Sequence, residues 1–206
     1  MPDILRIDPP TADVRLLLAH GAGAGMTSPF LEAIANLLAA RAIATARFEF
    51  AYMAERRATG KRRPPPRAER LVDEYVAALD AAYPGERPLI GGKSMGGRVA
   101  SLVADQLYRE GRIAGLVCLG YPFHPPKAPE KLRTAHLAGL ACPTLVIQGE
   151  RDPFGTRTEV AGYPLSPAIR LHWLQDADHD LVRRGARADC WRDAADAIAA
   201  FARTLD

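Results

Sequence analysis

The stretch Pro88-Leu89-Ile90-Gly91-Gly92-Lys93-Ser94-Met95-Gly96-Gly97-Arg98-Val99 constrains this chain more than any other. A short apolar run ends in two glycines, and Val99-Ala100-Ser101-Leu102-Val103 continues with helical character. The pattern Gly92-x-Ser94-x-Gly96 suits a serine at the tip of a sharp turn from strand to helix. Such a turn strains the serine backbone, so the residues two before and two after must lack a side chain that would collide across it. The following helix would aim its free N–H groups and positive dipole end at the serine, where an oxyanion can be stabilised. The rival reading of Gly-Lys-Ser, a phosphate-binding loop, needs a glycine six residues before the lysine. That position is Arg87.

At 206 residues the chain can bury one large core but not two comfortable ones, so a single domain over 1–206 is expected. Short apolar runs alternate with helical periodicity along its length. Val14-Arg15-Leu16-Leu17-Leu18-Ala19 leads into the loop His20-Gly21-Ala22-Gly23-Ala24-Gly25, and Ser28-Pro29 offers a cap and first position for a helix. Further strands are expected at Ala44 to Phe50, Pro88 to Gly92, Gly115 to Gly120, Pro143 to Gly149 and Ala168 to Leu174, and a final helix from Ala188 to Leu205. This alternation predicts an α/β fold with a mostly parallel sheet of about six or seven strands and helices on both faces. The sheet is expected to be trimmed at its first edge, since only Met1 to Asp13 precedes the first strong strand. Residues 120–140 are too few for a lid domain and rich in proline, so they form either a rigid loop or the wall of an open cleft.

In such sheets, sites form at the carboxyl ends of strands. A nucleophilic Ser94 would need a base, and the base an acid to hold its tautomer. Of the five histidines, His172 falls inside the last strand, His20 ends the first, and His124 and His136 lie in or just after the proline-rich segment. His179 alone follows the final strand, within Asp176-Ala177-Asp178-His179-Asp180. Asp152, in Gln148-Gly149-Glu150-Arg151-Asp152-Pro153-Phe154, is the expected acid, with Glu150 its nearest competitor. Three residue types at three successive strand ends, in the order Ser94, Asp152, His179, form a more specific signal than any one alone. Oxyanion donors are expected from the N–H of Met95 and of Ala22, with Gly23 close behind. His20, Tyr121, Phe123 and His124 are candidates for lining the substrate cleft.

Charge and composition narrow the remaining classes. Seven basic residues stand against Glu69 between Arg56 and Arg70, a local net charge of +6 that leaves −3 for the rest of a chain totalling +3. This is a solvated basic loop or a site for an anion or acidic partner. No aromatics interleave it, which argues against nucleic acid. Cys118, Cys142 and Cys190 are odd in number and widely spaced, as expected of buried thiols rather than disulfides. The carboxylates of 176–180 lack the glycine and further ligands of a calcium loop, so no metal is expected, and no cofactor. The N-terminus has neither the basic segment nor the apolar run of a signal peptide, and no stretch is long enough to span a membrane. We therefore expect a cytoplasmic protein with a small-molecule substrate. The sequence leaves its oligomeric state open.

Taken together, His20 to Met26, Gly92-Lys93-Ser94-Met95-Gly96-Gly97-Arg98, Gln148 to Phe154 and Asp178-His179-Asp180-Leu181 resemble the small α/β hydrolases related to dienelactone hydrolases. Within that group the chain is most similar to the testis-expressed and NSL-complex-subunit-like branch. The resemblance covers nearly the whole chain and implies the α/β-hydrolase fold and a Ser94–His179–Asp152 triad. Dienelactone hydrolases carry a cysteine nucleophile where this chain has serine, which argues against their substrate. The expected function is cleavage of a carboxylic ester or thioester by a serine hydrolase. The alternative is an α/β-hydrolase scaffold that binds a partner through its basic segment.

Overall fold

Leu16, Leu17, Leu18 and Ala19 are all fully buried, and their alternation decides how the layers are built. Successive side chains of a strand point to opposite faces. In the computed structural model, which describes residues 2–205, Leu16 and Leu18 enter one apolar cluster while Leu17 and Ala19 enter another. Met1 and Asp206, the ends of the expected 1–206 span, lie outside the described residues. Burial on both faces explains why this strand reads as an unbroken apolar run.

The strands are β1 (Ile4–Ile7), β2 (Val14–Ala19), β3 (Ile43–Phe48), β4 (Leu89–Lys93), β5 (Gly115–Leu119), β6 (Thr144–Gly149) and β7 (Ile169–Leu174), in spatial order β1-β3-β2-β4-β5-β6-β7. All neighbours run parallel except β1, which pairs antiparallel with β3 from Ile4 opposite Phe48 to Ile7 opposite Thr45. Helices α1 (Pro29–Ala39) and α6 (Arg187–Ala202) cover one face, packing Leu31, Ile34, Leu38, Ala194, Ala195 and Ile198 against Leu16 and Leu18. Helices α3 (Val72–Ala82) and α4 (Met95–Arg109) cover the other, with Tyr75, Leu79, Val99 and Val103 against Leu17 and Ala19. At the start of α1 the Ser28 hydroxyl accepts from the Leu31 N–H at 3.4 Å, with Pro29 in the first turn. The chain thus has the α/β-hydrolase fold, with a seven-stranded, mostly parallel sheet.

The seven strands fall within the expected six or seven, and the first of them, Ile4-Leu5-Arg6-Ile7, is an antiparallel edge strand too short and half-exposed to announce itself by periodicity. One expectation needs correction: residues 56–70 are not one loop. Arg56 and Arg57 sit on α2 (Ala51–Thr59), which ends at Gly60 in the left-handed conformation, and residues 68–70 form a single 3-10 turn before α3. Between β5 and β6 the described chain has neither helix nor strand, and α5 (Arg157–Val160) is one capped turn between β6 and β7.

Candidate active site

Strand β4 ends one residue before Ser94, and α4 begins one residue after it. Ser94 has φ 51° and ψ −113°, a conformation rarely tolerated outside glycine. The turn is tight enough to need both flanking glycines. A Cβ on Gly92 would lie 2.7 Å from the Gly96 carbonyl carbon, and one on Gly96 would lie 2.6 Å from the carbonyl oxygens of Ala19 and His20. Behind the turn, the buried Tyr75 hydroxyl donates to the Gly91 carbonyl at 2.7 Å and accepts the Gly91 N–H at 2.8 Å, tying α3 to the strand that carries the serine.

The loops after β6 and β7 bring the other two groups to it. His179 Nε2 lies 2.8 Å from Ser94 Oγ, and its Nδ1 lies 2.7 Å from Asp152 Oδ2. Asp152 is fully buried, and every partner it has points the same way. Its Oδ1 accepts the Phe154 N–H at 2.8 Å, and its Oδ2 also accepts from the Gln148 side chain at 2.8 Å. Glu150 turns elsewhere, to Arg157 at 2.6 Å and the Asp176 N–H at 3.2 Å. With an acceptor at Nδ1, His179 presents its other nitrogen to the serine hydroxyl, the arrangement in which an imidazole can take that proton. The Phe154 ring lies over His179, centroids 4.2 Å apart, and limits how far the imidazole can swing.

Three of these supports escaped the sequence reading: Gln148, Phe154 and Lys93. Gln148 is a fully buried polar residue near the end of a core strand, and that mismatch was the available signal. Its amide also accepts the Tyr121 N–H at 2.7 Å, so it joins the acid to the loop after β5. The Lys93 ammonium turns beneath the histidine loop and donates to the His179 carbonyl at 2.6 Å, 3.9 Å from Asp180 and 5.7 Å from the Phe30 ring centroid. Burial pushes the Lys93 pKa down to about 8, against the pull of Asp180, Asp152 and Asp178.

Ala22 and Met95 both border the space in front of Ser94. Among the described residues neither backbone N–H is donated to another group, and Met95 begins α4, where N–H groups have no acceptor within the helix. The Tyr52 hydroxyl holds the Ala22 carbonyl at 3.2 Å.

The four residues expected to line the cleft do not reach it. His20, Tyr121, Phe123 and His124 are all at most 1% exposed and border neither cavity beside Ser94. His20 accepts the Phe50 N–H on Nε2 at 3.1 Å and donates from Nδ1 to the Gly21 carbonyl at 2.6 Å. Burial lowers its pKa, and it braces the Gly21 loop from behind as a neutral ring. The Tyr121 hydroxyl donates to the Arg133 carbonyl at 2.9 Å, Phe123 packs on Tyr121 edge to face, and His124 donates to the Pro125 carbonyl at 3.0 Å. The loop after β5 has folded its aromatics into the core, leaving Pro122 and Arg133 toward the cleft.

Two cavities open on either side of Ser94, sharing Ala22, Ser94 and Phe154 as a common wall. One, of about 780 Å³, is lined by Arg67, Glu69, Arg70, Arg98 and Arg133 with Pro65, Pro66 and Pro122. The other, of about 460 Å³, is lined by Phe30, Leu31, Val182 and Trp191 with Lys93, Asp180 and Arg187. No group of three or more His, Cys, Asp or Glu side chains able to hold a metal ion occurs among the described residues. None of their helices is long and apolar enough to cross a membrane.

The family model of the alpha/beta hydrolase domain matches residues 12–204. Solved structures share the fold at low identity. An alpha-beta serine hydrolase homologue from Coxiella burnetii is 17% identical, with TM-score 0.69 over 93% of this chain and 88% of that one. Est1E from Butyrivibrio proteoclasticus is 13% identical, with TM-score 0.71 over 98% and 93%. A dienelactone hydrolase from Anabaena variabilis is 23% identical, with TM-score 0.71 over 98% and 91%.

Proposed function

The chain belongs to the alpha/beta hydrolase domain family, and from that premise we propose that it is a serine hydrolase cleaving carboxylic esters or thioesters through an acyl-enzyme. The observation that carries this reading is the unbroken run of contacts from Ser94 Oγ to His179 Nε2 at 2.8 Å and from His179 Nδ1 to Asp152 at 2.7 Å, with the serine held at a strained turn. Ser94 attacks the ester carbonyl while His179 takes its proton. Asp152 keeps the ring in its tautomer and stabilises the imidazolium. The N–H groups of Met95 and Ala22 receive the negative oxygen, and the collapse that releases alcohol or thiol returns the proton from His179. Water, deprotonated by the same histidine, then frees the acid. Structures sharing the fold include the esterase domain of a Rhodothermus marinus protein and a dienelactone hydrolase, which fits this class of reaction. Our placing of the chain in the testis-expressed and NSL-complex-subunit-like branch, as one domain over 1–206, rests on its motifs.

The experiment is labelling with a fluorophosphonate probe and mapping of the adduct. We expect modification of Ser94 that is lost in Ser94→Ala and strongly slowed in His179→Ala, alongside turnover of simple esters. A folded protein that takes no label and hydrolyses no ester would instead favour the scaffold reading. That reading has weaker support, because the basic segment does not present one surface. Arg57 pairs with Glu49 and Asp3, Arg63 with Glu55, and Arg56 holds the Gly23 carbonyl, while Arg67 and Arg70 turn to the cleft.

A further inference from the structure

The larger cavity beside Ser94 carries charge that the chain itself does not neutralise. Four arginines line it against one carboxylate, a local net charge of +3. The carboxylate, Glu69, is taken by Arg98 at 2.5 Å. Among the described residues Arg67, Arg70 and Arg133 have no ion-pair partner. Arg133 is half-buried, and its guanidinium reaches only the Pro122 carbonyl at 3.5 Å. Burial and the neighbouring charge of Arg98 lower its pKa, against the weaker pull of Tyr121 and Glu69. The Arg98 Nε–H is buried and unpartnered. A buried donor without an acceptor costs stability, and clustered like charges cost more, unless a ligand supplies both the acceptor and the charge.

The architecture holds these groups in place. Arg98 projects from the first turn of α4, four residues after the nucleophile, and Glu69 fixes its fork. Arg133 is anchored through its backbone, whose N–H donates to Phe123 and whose carbonyl accepts from Tyr121. Pro65 and Pro66 stiffen the segment that brings Arg67 and Arg70 to the rim. Guanidinium forks bind phosphate oxygens in pairs of parallel hydrogen bonds. A surplus of three positive charges also matches a phosphate monoester better than a single carboxylate.

We propose that this cavity is the substrate's anion subsite, and that the protein acts on esters or thioesters that carry a phosphate group, which Arg133 and Arg98 bind while the acyl carbonyl lies at Ser94. This rests on the hydrolase reading for its chemistry but not for its binding.

The test is calorimetry on Ser94→Ala protein with two thioesters that differ only in the phosphate, S-butyryl-4′-phosphopantetheine and S-butyryl-pantetheine. The phosphorylated compound is expected to bind at least tenfold more tightly. That ratio should fall toward one in Ser94→Ala/Arg133→Gln and be partly restored in Ser94→Ala/Arg133→Lys, with circular dichroism verifying that each variant is folded. Equal affinities overturn the proposal, as does failure of both compounds to bind at millimolar concentration. It is also overturned if the phosphate preference survives both Arg133→Gln and Arg98→Gln, or if inorganic phosphate alone binds as tightly as the phosphorylated thioester. Turnover by the wild-type protein is read separately. Hydrolysis of both thioesters at equal rates would remove the anion subsite and leave the hydrolase. A phosphate preference in binding, with neither turnover nor fluorophosphonate labelling, would remove the hydrolase and leave the subsite.

Discussion

The two cavities flanking Ser94 share a wall and little else. On one side, loops carrying Pro65, Pro66 and Pro122 present arginines. On the other, Phe30 from α1 and Trp191 from α6 meet edge to face with centroids 5.4 Å apart, over an ammonium withdrawn beneath the His179 loop. The first side holds its cations open to the cleft, whereas on the second Lys93 is turned to the scaffold and Arg187 lies over the Trp191 ring. A substrate crossing Ser94 therefore meets charge in one direction and apolar surface in the other. Selectivity in such a site depends on which way the substrate lies.

The contrast breaks most completely at the shared wall. In Ser94→Ala we expect ester turnover to fall on the order of 10⁶-fold and phosphonate labelling to vanish, while both cavities and their ligand binding persist. Binding lost together with turnover would show that the serine turn holds the cavities in shape. Asp152→Asn comes next. Its partners fix it rigidly, so an amide there leaves the geometry in place but favours the wrong tautomer of His179, and kcat should drop about 10⁴-fold with KM nearly unchanged. A loss of a few fold at most would point to Glu150 or a water as the working partner.

The meeting of Ser94, Asp152 and His179 was legible in the sequence and the cavities were not, for a physical reason. Ser94, Asp152 and His179 each follow a strand of a parallel sheet, and strand order places strand ends beside one another whatever the intervening loops do. Gly92 and Gly96 were readable because a backbone collision forbids any other residue at such a turn. By contrast, Arg67 and Arg133 reach Arg98 on α4 only through the paths of two separate loops, which no local pattern encodes. The same gap misplaced Tyr121, Phe123 and His124. A proline-rich stretch after β5 reads as cleft wall, yet aromatics gain more from burial than from lining open space, and the core beside Tyr163 had room for them. Strand β1 was missed because its four residues are only half-covered, so alternation had too few positions to show.

Lys93 sharpens the contrast through pH. Its pKa in the folded protein is about 8, against 10.5 for a free lysine, because burial disfavours the charge. Below pH 8 both folded and unfolded chains hold the proton, and the cost of burying it is fully present. Between 8 and 10.5 the unfolded chain binds more protons than the folded one, so stability from this position rises with pH. We expect wild-type protein to gain on Lys93→Met by about 1–3 kcal/mol between pH 7.5 and 10.5, read by urea unfolding at each pH. Parallel pH dependences would mean that the ammonium remains charged across this range. The loss of the 2.6 Å bond to the His179 carbonyl should also loosen the loop that carries the base, lowering kcat a few fold at neutral pH.

The smallest expected effect comes from the apolar side itself. Trp191 contributes two separable things: its ring packs on Phe30, and its indole N–H donates to the Asp180 carbonyl at 3.3 Å, one residue beyond His179. Trp191→Ala removes both, whereas Trp191→Phe keeps apolar surface against Phe30 and removes only the donor. If the apolar cavity receives the acyl chain, Trp191→Ala should lower kcat/KM for hexanoyl esters about tenfold, since burying one to two methylene groups accounts for that much, while acetyl esters change less than twofold. Trp191→Phe should then behave nearly as wild type with both esters. If hexanoyl and acetyl esters fall equally in both variants, the indole acts by steadying the His179 loop. The apolar side would then support the base and not select the chain, and discrimination would rest on the arginine side.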